Sequence, residues 1–385
     1  MSAAPVAVVV GGGIAGLASA ASLLRAGWQV RVLERAAEFN EVGAGLAVTR
    51  NGMAALDSIG AGERVRRAGR QIFMAGNQNH RGQWLMRIPD PRGDGTDSLN
   101  WSCGVHRRDL HAALLAAAEG AELLTDAQVT AIWPGEPDGE PATVTCRGAG
   151  GERRLTSDLV VAADGVNSTV RTALWPGVTP RYSGKTSWRG VLDHPGLADE
   201  RFVVAWGPHA EFGALRINSD QLYWYGYIAH PAKAIFADEL ETAAERFADW
   251  QPWVREIIAA TPPERLLRHD VYHLPAGALA KYTRGRTVLV GDAAHPVLPT
   301  MGQGANSALE DGASVGPLIG VPAAGDGGLS EALAEYDRQR VPRCREITRR
   351  SELTARIGAD LGPGWRQRTR DLALRLAPTA ATVKA

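Results

Sequence analysis

Two stretches of the chain carry residue types whose spacing could do chemistry. The first is Gly285 to Gly312, GRTVLVGDAAHPVLPTMGQGANSALEDG. Thr287 to Val290 has the apolar character of a short buried strand, and Gly291 and Asp292 end it. A turn bounded by Pro296 and Pro299 then leads through Gly302-Gln303-Gly304 into a helix beginning near Ala305. A carboxylate at a strand end can accept hydrogen bonds from a ligand's hydroxyls, while the free N–H groups of the following helix start suit an anionic ring edge. The second stretch is Gly11-Gly12-Gly13-Ile14-Ala15-Gly16, directly after the apolar run Val6 to Val10. Ala15 to Ala26 reads as a helix ending at Gly27, Val30 to Leu33 as the next strand, and Glu34 stands at its end, 23 residues beyond Gly11. In this GxGxxG pattern Gly11 turns tightly, Gly13 lets a pyrophosphate approach the backbone, and Gly16 lets the helix sit on the strand. Glu34 is placed to hold adenosine ribose hydroxyls and argues against a 2'-phosphate, so the site takes FAD or NAD rather than NADP.

The run GDAAHPxxPxxGQGAN resembles the second flavin-binding motif of the group A flavoprotein monooxygenases, the family of para-hydroxybenzoate, salicylate and urate hydroxylases. The resemblance covers nearly the whole chain. It implies that Asp292 binds the FAD ribityl chain, and that Gly302, Gln303 and Gly304, with Ala305 and Asn306 at the helix start, face the isoalloxazine ring. Pro299 lies in the same loop. Glu41-Val42-Gly43-Ala44-Gly45-Leu46-Ala47-Val48 resembles the family's loop after the second strand, with Ala47 where the cofactor is touched and Arg35 beside Glu34 on the nucleotide side. Val105-His106-Arg107-Arg108 puts Arg107 on the position of an arginine that reaches the FAD, with Arg108 as the alternative. Asp158 to Arg171 resembles the family's DG motif and implies that Asp164 lies near the pyrophosphate, although Asn167 or Ser168 could simply cap the helix that follows. Tyr336, Arg340 and Pro342 echo a helix that braces the FAD domain, and Gly312 stands where the family usually has alanine.

Tyr182 to Ala229 changes to alternating strands. Along Gln221 to Ala229, Leu222, Trp224, Gly226 and Ile228 share one face, and Tyr223, Tyr225 and Tyr227 share the other. One face should pack the domain and the other should cover a cavity over the flavin; the tyrosine row is a candidate for either. Trp188-Arg189-Gly190 resembles a family strand near the ring pocket, where Arg189 could pair with a substrate carboxylate or phenolate, or could be an ordinary surface arginine. Arg189, Tyr223, Tyr225 and Pro299 are therefore the catalytic candidates.

The elements that must position these residues form an α/β chain. The expectation is a Rossmann-type, glutathione-reductase-like FAD-binding domain over 1–70, 101–178 and 270–350, with an inserted mixed β-sheet substrate domain over 71–100 and 179–269. A C-terminal helical segment follows over 351–385. Asp90 to Asp97 reads as a loop, Glu239 to Ala260 as one helix, Leu329 to Ile347 as a long helix, and Ser351 to Leu376 as its continuation.

Lys plus Arg and Asp plus Glu both number 42 in 385 residues, so no global field draws in nucleic acid or an anionic membrane. The three cysteines are scattered without metal spacing, which suits a reducing compartment, and no apolar run of about 18 residues suggests a span. The expectation is a soluble cytoplasmic protein, monomer or homodimer, without nucleic-acid, membrane or metal partners. The resemblance implies an enzyme in which NAD(P)H reduces FAD and a C4a-hydroperoxyflavin delivers one oxygen atom from O2 to a small aromatic or heteroaromatic substrate. With one Rossmann fingerprint, NAD(P)H binds only transiently. Baeyer-Villiger oxidation, epoxidation or flavin binding without turnover remain alternatives; a halogenase is disfavoured because no WxWxIP occurs.

Overall fold

A strand as uniformly apolar as Val6–Val10 is at home only where both faces are covered. In the computed structural model, which describes residues 4–39, 44–89, 101–193, 195–197, 200–325 and 328–376, it sits at the middle of a six-stranded sheet. Parallel neighbours flank it, Gln29–Leu33 on one side and Leu159–Ala162 on the other. Thr287–Leu289 adds beyond Leu159–Ala162, and Glu122–Leu124 beyond Gln29–Leu33. Val6–Val10 is thus the point from which the strand order runs both ways, and ligands of such sheets gather at the carboxyl ends there. Those ends carry Gly11, Glu34, Asp164 and Asp292.

The first helix, Ile14–Arg25, lies against the helix of the flavin-like motif, Gln303–Val315, through a seam of small residues. Gly312 belongs to it: a Cβ there would stand 2.7 Å from both the Ala15 carbonyl oxygen and the Ala18 Cβ. The glycine where alanine was expected is required by this close approach.

The larger sheet runs in spatial order through Leu266–His273, Arg181–Leu192, Leu222–Ala229, Ala210–Arg216, Arg201–Gly207, Arg70–Asn79, Trp101–His106 and Gly45–Thr49, with Trp84–Arg87 paired to Arg70–Asn79. Its two faces differ in chemistry. Trp188, Trp224, Phe212 and Ile228 point to one side and bury against Phe247, Val254, Ile257 and Ile258 of two covering helices. Trp224 donates to Thr261 Oγ1 at 2.8 Å, and Trp188 to Glu239 Oε2 at 2.8 Å, so both indoles are satisfied inside that core. The tyrosines therefore take the opposite face. A three-stranded antiparallel sheet, Gln128–Trp133, Ala142–Gly148 and Gly151–Ser157, forms a separate meander.

Two helix expectations need correction. Glu239 to Ala260 is two helices, Glu239–Arg246 and Pro252–Ala259, because Pro252 cannot continue a helix and instead starts one at its first position. The long helix runs from Leu329 to Ile357 without interruption at Pro342, and the break falls later, at Gly358 to Gly364, before Trp365–Leu376. The loop expected over Asp90 to Asp97, like Glu41 to Gly43, lies outside the described residues. Among the described residues no helix is long and apolar enough to cross a membrane.

Candidate active site

The glycine loop is shaped by contact. Gly11 has φ +104°, and a Cβ there would lie 2.4 Å from the Ala163 carbonyl oxygen, while one on Gly16 would lie 1.9 Å from the Gly11 oxygen. Gly13 differs: a Cβ there would meet nothing within 4 Å, so the backbone is open on that side. The first helix begins at Gly13 with no side-chain cap and no acid in its first turn. Glu34 accepts from the Gly12 N–H at 2.8 Å and the Ala36 N–H at 2.9 Å, which ties the end of the second strand to the loop. Arg35 beside it is exposed at the rim. On the inner side His111 bonds the Gly12 carbonyl at 2.8 Å, a buried support that sequence reasoning missed.

Asp164 follows the next strand. Its Oδ2 accepts from the Val170 N–H at 3.1 Å, while its Oδ1 is buried without a partner. A buried, orphaned carboxylate oxygen beside an open glycine turn fits a site whose remaining donor comes from a ligand. Ser168, not Asn167, caps the helix that follows, accepting from the Arg171 N–H at 2.9 Å. Arg171 is itself buried and donates to the Asp292 and Ala293 carbonyls at 3.2 and 2.9 Å and to the Val166 carbonyl at 2.5 Å. It sews the Asp164 loop to the Asp292 turn. Sequence reasoning passed over it because its partners are main-chain atoms 121 and 122 residues away.

The Asp292 carboxylate has no hydrogen bond among the described residues. Crowding by protein pushes its pKa up, and nearby His295, Arg107, Arg189 and Arg171 pull it down. The side chain keeps an open surface, and with four cationic neighbours that opening favours the ionised form. Gly302, at φ +62°, starts the motif helix, again with no side-chain cap and no acid in the first turn, so the N–H groups of Gln303, Gly304 and Ala305 stay available to a ligand. Pro299 opens the short turn before it.

Asn306 requires a correction. Expected among the cofactor contacts, it is fully enclosed, accepting from the Thr49 N–H at 2.9 Å and donating to the Ala47 and Gly302 carbonyls at 3.1 and 2.8 Å. Its amide is engaged by protein and pins the Ala47 strand to the helix start. The Gln303 side chain likewise turns away, bonded to Asn51 at 3.2 Å, and leaves only its backbone toward the cleft.

Behind the Asp292 turn lies a buried ionic hub. Asp311 accepts from the Gly291 N–H at 2.9 Å, from His295 at 2.5 Å and from Arg340 at 2.7 Å, and Arg340 also donates to Glu310 at 2.9 Å. Burial opposes the charged imidazole, yet the neighbouring Cys344 sulfur and Asp311 carboxylate hold the His295 pKa well above its ordinary value. The Asp311 carboxyl, despite burial, is held below the usual range by His295 and Arg340. His295, Asp311 and Cys344 bring three ligand-type atoms within 4.8 Å, but the Arg340 charge already holds the carboxylate, so the grouping is an ion-pair hub. Tyr336 packs within it, fully buried. His295 and Asp311 lay in the motif itself, but their 16-residue separation hid the pairing.

On the facing sheet, Arg189 pairs in register with Tyr225, Val191 with Tyr223 and Ser187 with Tyr227. Arg189 is half-buried and makes no hydrogen bond or ion pair among the described residues. Tyr223 packs on Gly45, where a Cβ would lie 2.4 Å from its own, and so abuts the Ala47 strand. Arg107, the first residue of its helix, acts on Tyr223, His269 and Asp292, whereas Arg108 is exposed. Although part of its side chain is open to solvent, crowding by protein, reinforced by Arg189 and Arg107, lowers the His269 pKa to about 4, so it is neutral. Arg107 and Arg189, with Arg171 buried behind the Asp292 turn, put positive potential around Asp292 in a protein with no net charge.

Uncapped helix starts, an open glycine loop and cationic walls suit a dinucleotide with an anionic ring edge, and a family model described as an FAD binding domain matches residues 3–351. The chain belongs to this family of FAD-dependent aromatic monooxygenases. The monooxygenase is 34% identical over 395 residues to the 3-amino-4-hydroxybenzoate 2-monooxygenase PtnB3 of Streptomyces platensis, covering 98% of this chain and 93% of that one. It is 31% identical over 378 residues to the 2-heptyl-3-hydroxy-4(1H)-quinolone synthase of Pseudomonas aeruginosa UCBPP-PA14, covering 97% and 94%. In fold it is similar to Klebsiella pneumoniae HpxO complexed with FAD and uric acid, with a TM-score of 0.81, 23% identity and coverage of 99% and 95%. FAD is the cofactor, and the fold class is that expected, a Rossmann-type α/β domain joined to a mixed sheet.

Proposed function

We propose that this monooxygenase uses NAD(P)H as a transient reductant and inserts one oxygen atom from O2 into a small aromatic or heteroaromatic ring that carries an acidic O–H, N–H or carboxyl group. The observation that carries this reading is Arg189, a half-buried guanidinium with no partner among the described residues, set opposite Tyr225 and acting on the same cleft as Asp292. A cation held without a counter-ion among the described residues favours an anionic ligand group, and its planar fork suits a carboxylate or a ring oxyanion. The names of the relatives agree in kind: an aminohydroxybenzoate, a 4(1H)-quinolone and uric acid each offer an acidic ring group.

In this reading Gly11, Gly13 and Gly16 cradle the pyrophosphate with Asp164 beside it, Glu34 holds the ribose, and Arg35 closes the rim. Asp292 binds the ribityl hydroxyls. The backbone of Ala47 and of Gly302 to Ala305 faces the ring, with Pro299 and Arg107 bordering it. Bound FAD supplies the redox chemistry, accepting reducing equivalents from NAD(P)H and activating O2. The protein binds, orients and excludes water, and Tyr223 offers a hydroxyl with no partner among the described residues. The sheet bearing Arg189 and the tyrosines acts as the substrate domain, and the residues around the parallel sheet as the FAD domain.

The test is NAD(P)H consumption with 3-amino-4-hydroxybenzoate, 2-heptyl-4(1H)-quinolone, uric acid and a panel of phenols, with products weighed for one added oxygen. At least one compound should stimulate consumption and gain a single oxygen. Arg189→Ala should raise its apparent KM about tenfold or more. A panel that gains no oxygen, or an Arg189→Ala enzyme with unchanged KM, refutes the reading.

A further inference from the structure

Glu211 is a fully buried acid on the tyrosine face that the functional reading leaves without a role. It lies on Ala210–Arg216, paired in register with Tyr227, and its two oxygens are taken by two side chains. Tyr225 Oη donates to Oε1 at 3.0 Å, and Trp206 Nε1 donates to Oε2 at 2.9 Å. The Tyr227 ring stacks on Tyr225 at 5.9 Å, and Tyr223 follows at 6.4 Å, so the row leads from the carboxyl to the Ala47 strand. The charged groups facing Glu211 are few. Lys185 on Arg181–Leu192 is near, but it is ion-paired with Asp360. Arg189 lies farther along the same strand toward the cleft, and Arg370 of the last helix sits 5.3 Å above the Trp206 ring. His269, across the ladder at Ser187, is neutral.

Among the described residues no ion pair reaches Glu211. A charge buried this way is costly, and a glutamine could meet the same two groups without that cost, its carbonyl accepting from the Trp206 N–H and its NH2 donating to the Tyr225 hydroxyl oxygen. What glutamine cannot do is take a proton. Burial, opposed by the hydrogen bonds of Tyr225 and Trp206 and by the nearby Tyr227 hydroxyl, raises the Glu211 carboxyl to about 7, a value at which both forms are available near neutrality.

We propose, resting on the aromatic-hydroxylation reading, that Glu211 is a positioning and proton-accepting residue that draws the substrate's ring O–H or N–H proton through the Tyr225 hydroxyl. The substrate proton moves to Tyr225 Oη, and the proton already on Tyr225 moves to Glu211 Oε1. The carboxylate becomes a carboxylic acid and the ring becomes an anion; no other bond forms or breaks and no electrons leave either partner. Negative charge thereby moves from Glu211 to the ring, beside Arg189, which stands opposite Tyr225 in the ladder. An anionic ring is the better nucleophile toward activated oxygen. Tyr225 never needs to ionise on its own, which its buried setting beside Glu211 opposes.

The experiment compares FAD-loaded wild type, Glu211→Gln and Tyr225→Phe, with 3-amino-4-hydroxybenzoate, 2-heptyl-4(1H)-quinolone and uric acid as probes. Two readouts are taken from pH 5.5 to 9: oxygenated product per NAD(P)H consumed, and the infrared carboxylic-acid C=O band without probe. Wild type should show a buried carboxylic acid that titrates with a midpoint near 7, and coupling should rise through the same midpoint. Glu211→Gln should lose the band, lower coupling at pH 8 by about tenfold or more and flatten its pH limb, while flavin content and reduction rate hold. Tyr225→Phe should keep the band and lose the coupling. A Glu211→Gln enzyme that keeps the wild-type coupling profile while oxygenating a probe overturns the relay and leaves the hydroxylase reading standing. If wild type oxygenates no probe, the hydroxylase reading fails and takes the relay with it, whatever the band does. If Glu211→Gln does not fold, Tyr225→Phe decides: unchanged coupling overturns the proposal.

Discussion

Asp311→Asn probes the joint between the Asp292 turn and the long helix. Asp311 is fully enclosed and receives Gly291, His295 and Arg340, so the amide leaves two cations facing a neutral group. Removing one partner of a buried pair costs roughly 3–5 kcal/mol. The lower end applies here, because Arg340 keeps Glu310 at 2.9 Å and His295 can shed its proton, giving about 3 kcal/mol. The pH dependence has a definite sign. The Asp311 carboxyl is depressed in the folded state, so its contribution is present above the ordinary aspartate pKa and lost as pH falls through the depressed value. The His295 pKa is raised, so its contribution is complete below the ordinary histidine value and is lost as pH rises through the raised one. The gap between wild type and variant in urea denaturation should therefore be widest at about pH 6 and narrow as pH rises through the raised histidine value. FAD affinity should fall as well, because the Gly291 N–H held by Asp311 sets the position of Asp292. A gap below about 1 kcal/mol would show that the hub carries little energy, and a larger gap that does not change with pH would show that the His295 charge is no part of it.

Asp292→Ala should weaken FAD by about ten- to a hundredfold, from roughly 1.5–3 kcal/mol for a charge-assisted bond, measured by flavin fluorescence on dilution; full retention would mean the carboxylate does not touch the cofactor. Gly312→Ala should destabilise the fold by about 1–3 kcal/mol, read in urea, because its Cβ would press on Ala15 and Ala18 at 2.7 Å. Glu211→Gln should change the slope of stability with pH. The carboxyl raised from 4.5 to about 7 binds its proton more tightly when folded, so wild-type stability falls by roughly 3 kcal/mol between about pH 4.5 and 7.5, and the variant should lack that fall. Parallel wild-type and variant curves would place the carboxyl in the ordinary range.

The strand-glycine-helix beginning and the Asp292 motif were legible because their signals are local: an apolar run, a fixed glycine spacing and a helix start lie within about 30 residues of one another. The tyrosine strand was half legible. Period-two alternation separated its faces, but which face met the cleft depended on Trp188 and Trp224 finding Glu239 and Thr261 on helices elsewhere in the chain. The supports stayed hidden for the same reason. Arg171 binds carbonyls, His111 reaches back 99 residues to Gly12, and Glu211 gains meaning only once Ala210–Arg216 pairs with Leu222–Ala229. The helix expected to end at Ile347 and resume at Ser351 runs unbroken to Ile357, and the physical break is the glycine and proline cluster that follows.

The order of strands in the parallel sheet also sets a timetable for synthesis. Val6–Val10 leaves the ribosome some 150 residues before its neighbour Leu159–Ala162, and Arg340, which locks the Asp292 turn, follows roughly 180 residues after that. At about 5–20 residues per second, this apolar strand waits roughly 8–30 s with one edge open. A nascent chain in that interval needs shielding from its neighbours on the same message. Flavin capture is correspondingly a late event, completed only when the second half of the cradle has been made, so cofactor supply bears on the finished fold and not on its first steps.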